Sequence, residues 1–180
     1  MLSLFACKDS PVPVERMAFV YDSLYQIDLP NNLYKGYDMH DYASLQYYDT
    51  LMGVYVLGIE DAKDNLGEIK RKRLKLYSYY AFVEHAVFLD VDSTILVSEQ
   101  LFSSGKNLEV LAGDYHTLNK DWENVPIFYR IAIFESPEYF FQLVTWMPYE
   151  IHCDFMPWID TMMTSFHFIP HEERNVAGLR

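Results

Sequence analysis

Positive charge is what this sequence lacks most. Its 180 residues hold 14 Lys+Arg against 26 Asp+Glu, a formal net charge of -12. A polyphosphate partner needs an excess of cations, so nucleic acid is excluded as a ligand. Glycine is scarce, at 7 residues, and never clusters into the loop of backbone donors that cradles a nucleotide phosphate. Two cysteines, Cys7 and Cys153, exclude a disulfide framework. No apolar run reaches the roughly 18 residues a membrane-spanning helix requires. Aromatic side chains are abundant instead: 15 Tyr, 12 Phe and 3 Trp, together 17% of the chain. That supply of large apolar groups excludes disorder for most of the sequence, and the length suits one domain with a full core.

Residues 1–17 stand apart from the rest. Leu4, Phe5, Ala6 and Cys7 resemble a bacterial lipobox, in which a small residue precedes the cysteine that accepts a diacylglyceryl group. Lys8 and Asp9 follow, then a tether carrying Pro11 and Pro13. Only six residues precede Cys7, so the basic and apolar parts of a signal peptide are missing, as in a truncated signal remnant. Lipidation at Cys7 is the expectation, and it carries an address: the bacterial cell envelope, lipid-anchored. A cytoplasmic protein is the alternative.

Residues 18–169 read as a single domain and 170–180 as a polar tail. Period-two alternation marks one strand over Phe19–Leu29, closed by Pro30. Ala43–Asp49 and Gly53–Glu60 form an antiparallel hairpin turning near Asp49 and Thr50, and the second strand is apolar enough to be central. Ile69, Leu76, Tyr80, Val83 and Val87 make one helical stripe, with the basic cluster Lys70–Arg73 in its first turns. Thr94–Phe102 and Leu108–His116 are further strands, followed by a polar loop over 119–126. Ile127–Glu135 and Tyr139–Trp146 make a second hairpin around Pro137. Asp154 is placed to cap a final helix with Phe155, Ile159, Met162 and Phe166 on one face, and Pro157 is expected in its first turn.

Three phrases in that order of elements carry a family resemblance. They are Tyr25–Pro30, an opening strand ending in proline; Tyr139–Trp146; and the closing helix ending in Met163–Phe166. Together they resemble the PsbP-like family, whose fold is shared with the nuclear-import factor Mog, over residues 19–168. The resemblance implies an α+β sandwich, an antiparallel sheet with helices packed on its faces. It also implies a binding or assembly protein, not an enzyme.

Local chemical signatures are sparse. His167 and His171 have helical spacing, but Pro170 interrupts them and no acidic base lies between, so neither a metal nor another cofactor is expected. Asp90, Asp92 and Glu99 lack the central glycine of a calcium loop. No Gly-X-Ser-X-Gly elbow occurs, and Cys153 is expected to be a half-buried structural thiol; an enzyme would need a nonlocal site built on it or on a histidine. What remains is a surface. Tyr34, Tyr37, Tyr47 and Tyr55, with Lys70, Arg71, Lys72 and Arg73, are the candidate interaction residues, facing a protein or an envelope component.

Overall fold

A computed structural model describes residues 16–21, 24–66, 75–89, 91, 93–104, 108–118 and 125–170. The lipobox-like start, the basic cluster Lys70–Arg73, Asp90 and Asp92, His171 and most of the 119–126 loop lie outside them.

The chain runs β1 (Arg16–Tyr21), β2 (Tyr25–Pro30), β3 (Tyr34–Lys35), β4 (Leu45–Asp49) and β5 (Val54–Ala62), then helix α1 (Leu76–Val87). Next come β6 (Ser93–Ser103), β7 (Glu109–Leu118), β8 (Ile127–Glu135), β9 (Tyr139–Pro148), helix α2 (His152–Ser165) and β10 (His167–Phe168). Seven strands form one antiparallel sheet in the order β3-β4-β5-β9-β8-β7-β6, and three form another in the order β1-β2-β10. This is the α+β sandwich the resemblance implies.

The strand expected over 19–29 is instead a hairpin. The register pairs Met17 with Leu29 and Phe19 with Ile27, so odd-numbered residues of β1 and β2 share one face. Alternation therefore passes unbroken through the reversal and reads as one strand. The β4–β5 hairpin falls where the sequence places it. Its turn is held by the Asp49 carboxylate, which accepts from the N–H groups of Leu51 (3.0 Å) and Met52 (3.1 Å). Gly53 completes it at φ 69°, a left-handed conformation that a Cβ makes costly. β5 is central, bonded to β4 and β9.

Both helices differ from the expectation at their starts. Among the described residues α1 begins at Leu76, so Ile69 and the basic cluster are not part of its described turns. Asp154 does not cap α2: Ile151 holds the N-cap position, and Asp154 lies in the first turn, where its charge suits the positive end of the helix dipole. A 3-10 turn at Tyr149–Ile151 leads in, which leaves Pro157 inside the helix. Phe155, Ile159, Met162 and Met163 form the buried face, while Phe166 follows the helix in extended backbone and is still wholly buried.

The large sheet thus carries a core on each face. On one side α2 and the small sheet pack on Val56, Phe134, Phe141 and Leu143. On the other, α1 packs on Leu111, Ile131, Ile133 and Phe140. Gly113 of β7 lets α1 come this close, because a Cβ there would lie 1.9 Å from the Tyr80 hydroxyl. That hydroxyl is 2.5 Å from the hydroxyl of Tyr115, and burial holds both phenols far above their ordinary pKa. The α2 side also contains a charge. Arg130, 3% exposed, bonds Asp114 through Nε (2.5 Å) and Nη2 (2.8 Å), and reaches Asp160 of α2 through Nη1 (2.5 Å). Burial alone would lower its pKa, but the two carboxylates hold it above the usual value.

Candidate functional site

Residues directly opposite in an antiparallel sheet share a face. The registers therefore align Tyr34, Tyr48, Tyr55, Trp146, Tyr129 and Tyr115 in one row across the α1 side of the sheet. α1 covers the Tyr115 end and stops short of the middle. Trp146 lies between Tyr55 (5.1 Å between centroids, 9°) and Tyr129 (6.2 Å, 17°), and all three are half-buried.

The uncovered strip is a cleft of about 580 Å³. Leu57, Val144, Tyr129 and Trp146 make its floor, and Phe82, Val83, Ala86 and Val87 of α1 make one wall. His40 and Tyr42 form the opposite wall. Buried Gln46 holds their loop: its Oε1 accepts from the N–H groups of Met39 (2.8 Å) and His40 (3.2 Å), and its Nε2 donates to the carbonyls of His40 (3.0 Å) and Ala43 (3.1 Å). His40 Nδ1 accepts from the Tyr42 N–H at 3.2 Å, so the neutral ring carries its proton on Nε2.

One end of the cleft is polar. The Tyr79 hydroxyl donates to Asp61, and Gln142 Nε2 donates to both Asp61 (3.1 Å) and the Tyr79 oxygen (2.8 Å). Burial, and then the adjacent carboxylate, push the Tyr79 phenol far up; burial pushes Tyr129 up to about 12. Neither phenol ionises near neutrality. The cleft does gather two titratable groups, His40 and Asp61, but no serine, threonine, cysteine or lysine lines it.

The expected interaction residues separate. Tyr34 and Tyr37 are exposed, at 67% and 73%, and Tyr55 stacks on Trp146 beside the cleft. Tyr47 is no surface residue. It alternates with Tyr48, so it faces the opposite side of the sheet, where its ring meets Phe19 at 5.8 Å and it is 5% exposed. Lys70, Arg71, Lys72, Arg73 and Cys7 lie outside the described residues.

Cys153 is half-buried as expected, but it is disulfide-bonded and not a thiol. The bond removes the thiolate on which a nonlocal Cys/His enzyme would depend, although His152 Nε2 lies 3.5 Å from the sulfur. Among the described residues no three His, Cys, Asp or Glu side chains gather as a metal site, and no helix is long and apolar enough to cross a membrane.

Trp146, Tyr129, Asp61, Gln142 and His40 are the site residues that reasoning from sequence missed. One signal was available. Counting outward from a four-residue turn at residues 136–139 sets Tyr129 opposite Trp146, and an aromatic pair is then visible on one face.

No known family profile matches the sequence, and no curated protein matches it. Solved structures do resemble it. The Ran-binding protein Mog1p of Saccharomyces cerevisiae superposes with a TM-score of 0.63 at 8% identity, over 88% of this chain and 98% of its own. Cyanobacterial PsbP (CyanoP) of Synechocystis gives 0.57 at 15% identity, over 92% and 98%. LpqN of Mycobacterium tuberculosis, involved in cell envelope biogenesis, gives 0.59 at 8% identity, over 89% and 87%. At such low identity the likeness speaks of architecture, and this chain has the PsbP/Mog-type fold.

Proposed function

We propose that the protein is a non-catalytic binding or assembly module of the bacterial cell envelope, with the half-open aromatic cleft and its tyrosine rim as the working surface. The cleft itself carries this reading: Trp146 and Tyr129 stay half-exposed on the sheet beside a cavity of about 580 Å³. The partner is a protein or an envelope component, since a net charge of -12 repels nucleic acid. Support comes from LpqN, described as involved in cell envelope biogenesis, and from Mog1p, described as Ran-binding.

The envelope address has two supports. The lipobox-like Leu4–Cys7 favours a diacylglyceryl thioether on Cys7. The disulfide at Cys153 favours an oxidising compartment. A soluble cytoplasmic interaction domain of the same fold is the second reading, favoured by the likeness to Mog1p.

Mass spectrometry of the protein from its own host decides between them. A diacylglyceryl adduct on Cys7 establishes the lipoprotein. An unlipidated protein in which Cys7 and Cys153 are joined establishes a secreted module without that anchor. Two free thiols in the soluble cytoplasmic fraction overturn the envelope address.

A further inference from the structure

The cleft also indicates what it would hold, on the reading that it is the working site. Its floor carries the rings of Trp146 and Tyr129, 6.2 Å apart and near-parallel at 17°, which offer aromatic contact to a ring-bearing ligand. Its walls are aliphatic or aromatic, from Val83, Ala86 and Val87 on one side to Tyr42 on the other. The volume, about 580 Å³, falls within the range of small-molecule sites, roughly 300–1,000 Å³.

The polar end sets the charge. Asp61 accepts hydrogen bonds from two neutral groups, Tyr79 and Gln142, and no cation pairs with it among the described residues. An anionic ligand would bring its charge to an uncompensated carboxylate on a protein already at -12. A hydroxyl, amide or ammonium group would instead donate to that carboxylate. Gln142 turns its amide nitrogen toward Asp61 and Tyr79, so its carbonyl oxygen points away from them as a further acceptor.

We propose that the cleft binds an uncharged or cationic ring-bearing amphiphile. Its rings pack against Trp146 and Tyr129, and its hydrogen-bond donor faces Asp61 and Gln142. The acidic lipids and fatty carboxylates of a membrane are thereby disfavoured.

Two fluorescent probes with the same body test this. N-phenyl-1-naphthylamine is neutral; 1-anilinonaphthalene-8-sulfonate carries the same two ring systems and amine plus a sulfonate. Titrated into the full-length protein at low salt, the neutral probe should bind about tenfold more tightly, the factor produced by one unfavourable charge contact of this kind. Asp61→Asn should narrow the gap to about threefold by improving the sulfonate's binding. Ala86→Trp, which adds bulk at an exposed helix position and so spares the core, should weaken both probes about tenfold or more.

Equal or preferred binding of the sulfonate, still blocked by Ala86→Trp, overturns the ligand class and leaves the cleft as the site. Probe binding that ignores Ala86→Trp, or no binding at all, overturns both.

Discussion

One face of the seven-stranded sheet is sealed and the other is left partly open, and the cause is length. The α2 side is roofed by a 14-residue helix together with a three-stranded sheet. Among the described residues the α1 side has one helix, of 12 residues. At about 1.5 Å per residue α1 is about 18 Å long, whereas seven strands at about 4.8 Å spacing span about 29 Å. A single short helix cannot cover such a sheet. The strip left bare among the described residues is the floor of the cleft, and the His40–Tyr42 loop supplies its far wall.

The comparison can be broken first on the sealed face. Phe141 is wholly buried and touches Tyr25 (4.6 Å between centroids) and Phe166 (4.5 Å). Phe141→Ala should cost about 3–5 kcal/mol, read as a shift in the urea midpoint at constant slope. Arg130→Met comes next, because it strands the buried Asp114 carboxylate; about 3 kcal/mol is expected. Asp160→Asn should cost less than about 1 kcal/mol, since Asp160 is 58% exposed, and equal losses would show that both arms of Arg130 are equally buried in effect.

Gly113 probes how closely α1 sits. Gly113→Ala should cost about 1–3 kcal/mol by driving a methyl group into the Tyr80 hydroxyl. Tyr80→Phe removes that oxygen, so the double variant should recover part of the loss; additive losses would place the strain elsewhere.

On the open face the same chemistry should matter far less. Leu57 is half-buried on the cleft floor, and Leu57→Ser should change stability by less than about 1 kcal/mol while weakening probe binding. A core-sized loss there would mean that the strip is covered in solution.

The smallest effect is one of pH. Burial, and then the nearby His152, hold the His116 pKa below its ordinary value. The unfolded chain therefore binds this proton first as pH falls. His116 costs nothing above the ordinary histidine range, and its contribution is lost as pH drops below about 6.5. Midpoints at pH 7.5 and 5.5 should differ more in the native protein than in His116→Gln. An unchanged difference would assign the acid sensitivity to other groups.

Much of this architecture is legible from the residues because it is local. The β4–β5 and β8–β9 hairpins announce themselves through alternation and turn chemistry at Asp49 and Ser136. β3 and β10, at two residues each, are too short to carry any period. β1 was hidden by a register that preserves parity. Tyr47 shows the limit for the site: clustered tyrosines suggest a surface, but adjacent residues of a strand, Tyr47 and Tyr48, point to opposite faces, so one of them had to enter the core. The cleft is harder still. It is defined by what α1 does not reach, and no sequence window contains that information. Arg130, Asp114 and Asp160 likewise meet only once β7, β8 and α2 are assembled.

β6 lies at the outer margin of the large sheet. Among the described residues it bonds only β7, and every one of its residues but Phe102 is exposed, including Ile95, Leu96, Val97 and Leu101. Such a margin is a template for any extended chain, a second copy included. The register irregularity between Leu96 and Ser98 and the single charge of Glu99 interrupt it only locally. At longer range a second copy meets repulsion from the acid surplus, -12 on each. That repulsion reaches about 10 Å at 0.1 M salt and about 3 Å at 1 M. The scarcity of lysine and arginine thus works as a colloidal safeguard, which concentrated salt takes away.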